Sequence, residues 1–224
     1  WETSYPMMIQ SGVECGLWTL GAIVSGWFGK VQLAAYQVVN TISQLGFMIY
    51  LSFGVAISIR VANFTGARDV EGVRCAARAG LHLNLLMATL SSLIFIFFTK
   101  ALVVLFTSNA DVIANALSLI VPLVLYQYGD AVQITLANAL KGTSYVNPLF
   151  WISLIAYVGV GAPLLLGLAC GFDLKNVGVY YSFNGALVAC AILVWIAFNK
   201  TIRRQKVEFG RPLEVNQNAP NIEF

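Results

Sequence analysis

The chain alternates long apolar stretches with short polar connections, and six such stretches can be drawn. The first runs from about Tyr5 to Phe28 and the second from about Leu33 to Ile59. The third runs from about Leu81 to Phe98, behind a polar helical lead-in from Val70. The fourth covers Val112 to Leu140, the fifth Pro148 to Leu168 and the sixth Val177 to Phe198. A helix needs about 20 apolar residues to cross the hydrocarbon core of a bilayer, and each stretch meets or approaches that length. The pattern predicts an all-α integral membrane fold: a six-transmembrane-helix bundle over residues 1–206 and a polar cytoplasmic tail over residues 207–224.

Composition agrees with the pattern. Hydrophobic residues are 58% of the chain and charged residues 10%, where a soluble domain carries about 25% charged residues. There is too little charge to cover a soluble core. The net charge of +3 gives no reason to expect nucleic acid. Its distribution is more informative. With six spans, one side holds Arg60, Arg68, Arg74, Arg78, Lys141, Lys200, Arg203, Arg204, Lys206 and Arg211. The other side holds Lys30, Lys100 and Lys175. The positive-inside bias predicts that both termini are cytoplasmic, in a multi-pass protein of the plasma membrane (the inner membrane, in a bacterium). Cys15, Cys75, Cys170 and Cys190 form no CxxC pair and read as free small hydrophobes. No basic n-region with a cleavage site precedes the first span. The first residue is Trp1, consistent with a processed chain or a fragment. No P-loop, HExxH, GxSxG or dinucleotide-binding glycine pattern is present, so neither an enzyme activity nor a cofactor is expected.

Of the ten acidic residues, two fall inside apolar stretches: Glu14 and Asp130. An ionisable group in a membrane span is costly, and by default it marks a functional site. Glu14 lies about nine residues into the first span, and Asp130 about ten residues before the end of the fourth. At 1.5 Å per residue both sit roughly 13–15 Å from the same boundary, near the midplane of a core about 30 Å thick. Two acids at matched depth on different helices can share one cavity. Around Asp130, the residues Tyr126, Asp130 and Gln133 follow at i, i+4 and i+7 and share a helix face. Tyr126 can donate a hydrogen bond to the carboxylate or offer its ring and oxygen to a cation. The plainer alternative is a polar stripe holding two helices together.

Other polar positions admit two readings. Gly12 and Gly16 bracket Glu14 in a GxxxG pattern that serves either helix packing or a tight polar pocket. Gln37, Asn40, Thr41 and Gln44 line one side of the second span, for interhelical hydrogen bonds or for a cavity. Asn138 reads as packing and His82 as an interfacial residue. Pro6 and Pro148 stand at span starts, where a missing N–H costs nothing. Pro122 and Pro163 lie within spans and should kink them. A bend at Pro122, two turns from Asp130, would change access to the acid.

Several stretches together resemble the multidrug and toxic compound extrusion (MATE) transporters. Leu33-Ala34-Ala35-Tyr36-Gln37 is similar to the family's LAA-x-Q signature. Ser58-Ile59-Arg60-Val61-Ala62-Asn63 with Gly66 resembles its cytoplasmic turn, although Phe64-Thr65 replaces the usual aliphatic pair. Leu105-Phe106-Thr107 with Asp111-Val112, and Leu140-Lys141-Gly142, resemble its LFT-x-D-x-x-V and LRG segments. Tyr126-Gln127 with Asp130 and Gln133 is similar to the tenth-helix pattern. Leu136-Ala137-Asn138-Ala139 departs from a glycine-containing stretch. The match runs from Pro6 to about Arg204 in the order of helices seven to twelve. It implies the C-terminal lobe of a twelve-helix MATE/MOP-superfamily transporter, with the N-terminal six-helix lobe as its missing partner. Glu14 corresponds to a seventh-helix acid found in the branch similar to NorM and lacking in the branch similar to DinF.

The resemblance implies multidrug efflux by cation-coupled antiport of cationic amphipathic compounds. The implied coupling and substrate-binding residues are Glu14, Asp130, Tyr126 and Gln133, with Gln37, Asn40 and Gln44 as cavity-lining candidates. The coupling ion is H⁺ or Na⁺. Were it Na⁺, Glu14, Asp130 and Tyr126 would be its ligands. The expected partners are the bilayer and organic cations. Two alternatives remain: a lipid-linked oligosaccharide flippase of the same superfamily, and a non-transporting membrane scaffold or receptor. A flippase for anionic polyprenyl-linked substrates would line its cavity with arginines, and no arginine lies within these spans.

Overall fold

The structure, a computed structural model, describes residues 4–172 and 174–209. Every element among them is helical. Helices α1 (Ser4–Trp27), α2 (Lys30–Gly66) and α3 (Val70–Phe106) are followed by α4 (Ala110–Ser118) and α5 (Ile120–Gly142). Then come α6 (Asn147–Ser153), a π-helical stretch (Leu154–Gly161), α7 (Ala162–Leu166), a second π-helical stretch (Gly167–Gly171) and α8 (Lys175–Phe209). Five helical segments are long and apolar enough to cross a membrane, and α4 with α5 makes a sixth if the bent pair is one span. The expected all-α membrane fold is what forms.

The elements differ from the expected spans at their ends and in two interiors. The third span and its lead-in are one helix that continues to Phe106. Its start is fixed by Asp69, whose carboxylate accepts from the Gly72 N–H at 2.9 Å, supplying an N-cap. Helix α8 continues through Val207 and Glu208 to Phe209, into the segment expected as tail. The remainder, 210–224, lies outside the described residues. The turn between α1 and α2 requires Gly29, whose φ of 108° is open to glycine and strained for an L side chain.

The fourth span is not one helix over Val112–Leu140. It breaks at Leu119, and its two parts meet at 49°. Pro122 has no N–H to give to the carbonyl of Ser118, so the ladder opens one turn before the proline. The side chain of Asn184 on α8 donates to the Pro122 carbonyl at 3.0 Å, tying the bend to its neighbour. In the fifth span Pro163 stands near the start of α7. It is flanked by the two wide π-helical stretches, where the backbone pairing slips by one residue.

Helix α5 is the centre of the bundle, packed by α2, α3 and α8. Close approach depends on glycine at the α2–α5 crossing. A Cβ on Gly142 would stand 2.5 Å from the Ser58 carbonyl oxygen, too near for any side chain. Asn138 packs at the same crossing. Its amide donates to the Ile134 carbonyl at 2.9 Å and lies over Gly54, as the packing role expected of it requires. A second polar tie joins three helices: Asn84 of α3 donates to Thr135 Oγ1 on α5 at 2.7 Å and reaches the Tyr50 carbonyl on α2 at 3.4 Å.

Candidate functional site

Asp130 lies in the middle of α5 and is 1% exposed. Tyr126, one turn away, is buried and directs its hydroxyl toward the Asp130 carboxyl. Gln133 is buried on the same face. All three are buried along one face of α5. Asp130 Oδ2 and Gln133 Oε1 have no hydrogen-bond partner among the described residues. Two unpaired acceptor oxygens in a buried setting are costly, and they are the kind of groups a cation would satisfy.

Glu14 on α1 is half-buried and close enough to Asp130 for the two charges to act on one another. The packing follows from apolar and aromatic contacts. Trp18, one turn along α1, meets Tyr126 edge-to-face at 5.3 Å between ring centroids and Phe183 of α8 at 4.7 Å. Such pairs hold one geometry, and this one places the Glu14 turn of α1 beside the Asp130 turn of α5.

Sequence reasoning missed three members of the cluster. Tyr157, in the first π-helical stretch, is buried, and its hydroxyl donates to Glu14 Oε1 at 3.4 Å. Cys190 of α8 is buried, and both Gln133 and Tyr157 approach its thiol. Lys141, at the far end of α5, is half-buried and its charge acts on Glu14. Side chains lean toward the N-terminus of their own helix. Since α1 and α5 run in opposite directions, Lys141 leans into the bundle and Glu14 leans out to meet it. A signal for Tyr157 was present: it lies nine residues after Pro148, at the depth that paired Glu14 with Asp130.

The remaining candidates are distributed differently. Gln37, Thr41 and Gln44 are exposed along one face of α2, and Asn40 is half-buried with its Oδ1 unpartnered. Thr41 bonds only its own helix, at the Gln37 carbonyl 2.8 Å away. Interhelical bonding within the described bundle is therefore not what these side chains do. Gly12 and Gly16 have nothing within 4 Å of where a Cβ would stand, so the GxxxG face is likewise unpacked by the described residues. A polar face open to hydrocarbon is unfavourable; these two faces call for water or for more protein. His82 is exposed. The four cysteines are free, Cys190 alone being buried. Among the described residues no three His, Cys, Asp or Glu side chains gather into a metal cluster.

Long apolar helices around one buried and one half-buried acid define a multi-pass membrane protein. Comparison with known proteins takes this further. The MatE family profile matches residues 6–166. Multidrug resistance protein NorM of Aliivibrio fischeri is 34% identical over 206 residues, covering 88% of this chain and 45% of that protein. Multidrug resistance protein PmpM of Pseudomonas aeruginosa is 30% identical over 203 residues, covering 89% and 43%. The crystal structure of the eukaryotic MATE transporter AtDTX14 superposes with a TM-score of 0.81 at 21% identity, over 93% of this chain and 48% of that one. A MOP-superfamily transporter from Pyrococcus furiosus gives 0.76 at 18% identity, over 92% and 50%. The chain belongs to the MATE family. It spans about half the length of the curated relatives it matches.

Proposed function

We propose that this chain forms half of a cation-coupled exporter of cationic amphipathic compounds, with both of its termini cytoplasmic. The observation that carries the reading is the meeting of Glu14 and Asp130 with Tyr126 and Tyr157, beside oxygens of Asp130 and Gln133 that have no partner. A charge removed from water must be neutralised or paired. Proton, Na⁺ and organic cation are alternative ways to do this, and ligands that share one charge exclude one another. Loading the coupling ion then displaces the substrate, and rocking of one half against the other exposes the site to each side in turn. Were Na⁺ the ion, Glu14, Asp130 and the Tyr126 oxygen would hold it. The open polar face of α2, with Gln37, Asn40 and Gln44, would line the path between the halves. Exposed and half-buried aromatic side chains would hold flat cations by apolar contact and cation–π attraction.

The names of the NorM and PmpM relatives support drug export. A lipid-linked oligosaccharide flippase is disfavoured, because among the described residues no arginine stands near the acid pair. A scaffold or receptor in which the acids only hold helices together is disfavoured by the unpaired Asp130 oxygen. The test is efflux of ethidium from pump-deficient cells expressing the full-length protein, its Asp130→Asn variant or its Glu14→Gln variant, with Na⁺ present or replaced. Loss of efflux in both variants supports the reading, and dependence on Na⁺ identifies the ion. Efflux untouched by either substitution overturns it.

A further inference from the structure

Away from the acid pair, α6 and the last third of α8 enclose a groove of about 690 Å³. Its walls change character along its length. The inner part is apolar, formed by Trp151, Ile155, Leu193 and Ile196. Trp151 is 62% exposed, so this part is open at the side of the bundle. The outer part is cationic: Lys200 and Arg204 stand one turn apart on α8. Among the described residues no carboxylate lines the groove, and the one ion pair among them is elsewhere, between Arg74 and Glu71.

Three details show that the outer part is organised. Arg204 is held by Tyr145, its guanidinium nitrogen donating to the Tyr145 hydroxyl at 3.3 Å and its charge lying 5.4 Å from the ring centroid. Most of its donors stay available for another acceptor. Thr201, between the two cations in sequence, is 4% exposed and forms part of the groove floor, its hydroxyl buried beneath the surface. Depth also fits. Counted from Lys175 at 1.5 Å per residue, Ile196 lies about 32 Å and Arg204 about 44 Å along α8. A hydrocarbon core about 30 Å thick ends near Ile196, which leaves Lys200 and Arg204 at headgroup level.

We infer that this groove is a binding site for an anionic phospholipid, with the phosphate between Lys200 and Arg204 and the acyl chains against Trp151, Ile155 and Ile196. Charge complementarity selects the occupant. Two cations without a carboxylate beside them among the described residues favour a net negative headgroup and offer a choline or ethanolamine headgroup nothing to pair with. The apolar inner walls distinguish a lipid from a free anion. The inference does not depend on the transport reading.

The experiment uses the full-length protein, delipidated in neutral detergent, and follows its thermal unfolding against added phosphatidylglycerol, phosphatidylcholine or inorganic phosphate. Basic residues at a membrane surface contribute about fivefold each to the binding of an anionic lipid. Phosphatidylglycerol should raise the midpoint saturably, phosphatidylcholine should not, and inorganic phosphate should not compete. The variant Lys200→Gln with Arg204→Gln should unfold as wild type without lipid and bind phosphatidylglycerol at least tenfold more weakly. Should that variant unfold early, Lys200→Gln alone, on an exposed side chain, should show about fivefold weakening. Equal response to both lipids, undiminished binding by the variants, or displacement by inorganic phosphate would each overturn the inference.

Discussion

Replacing Asp130 by Asn separates the two roles a buried acid can play. Asp130 is 1% exposed, and one of its carboxyl oxygens lacks a partner. An unsatisfied buried polar atom costs about 1–3 kcal/mol, and the nearby charge of Glu14 adds to the cost when both acids are ionised. Asn has the same shape. Its oxygen can still accept from Tyr126, and its amide can donate toward Gln133 Oε1, the unpartnered acceptor one turn on. The substitution should therefore leave stability unchanged or raise it by up to about 1 kcal/mol, a gain of roughly 0–4 °C in melting temperature. Were Asp130 instead part of a buried ionic tie that holds the helices, breaking it would cost about 3–5 kcal/mol, a fall of more than about 6 °C. Scanning fluorimetry of the purified full-length protein in detergent reads this directly. Export measured on the same variant should be lost. A melting temperature that falls by more than about 6 °C, or export that survives, would refute the reasoning.

Tyr157→Phe removes the hydroxyl that donates to Glu14 at 3.4 Å. A bond this long is worth about 0.5–1.5 kcal/mol, so the apparent affinity for the coupling ion should change by roughly two- to tenfold at unchanged expression, and an identical ion dependence would remove Tyr157 from the site. Pro122→Ala returns an N–H to the Ser118 carbonyl and should reduce the 49° bend between α4 and α5; transport rates equal to wild type would show that the bend does not govern access to Asp130. Gln44→Cys, made in a background without Cys15, Cys75 and Cys170, should react with a membrane-impermeant maleimide, whereas Leu90→Cys on the apolar face of α3 should not. Equal reactivity at the two positions would mean that the α2 stripe does not face water.

The line of apolar and polar positions was enough to establish a membrane bundle of helices, because the bilayer imposes a length and an apolarity that any spanning helix must meet. It was also enough to single out Glu14 and Asp130, since depth along a helix follows from a constant rise per residue. The face shared by Tyr126, Asp130 and Gln133 was legible for the same reason: it is a property of one helix. What stood outside the sequence was which helix turns toward which. Tyr157 and Cys190 belong to the acid cluster because α8 packs on α5 while the π-helical stretch of the fifth span packs on α8 and α1, a choice made by side-chain packing between elements far apart in the chain. The break at Leu119 was foreshadowed by Pro122, but its place one turn earlier reflects the carbonyl that loses its donor. The α2 stripe illustrates the division most clearly. Spacing alone could not tell interhelical bonds from an open face, because helical periodicity defines a face without saying what covers it. The three-dimensional arrangement left Gln37 and Gln44 outward, since α3 and α5 occupy the other sides of α2.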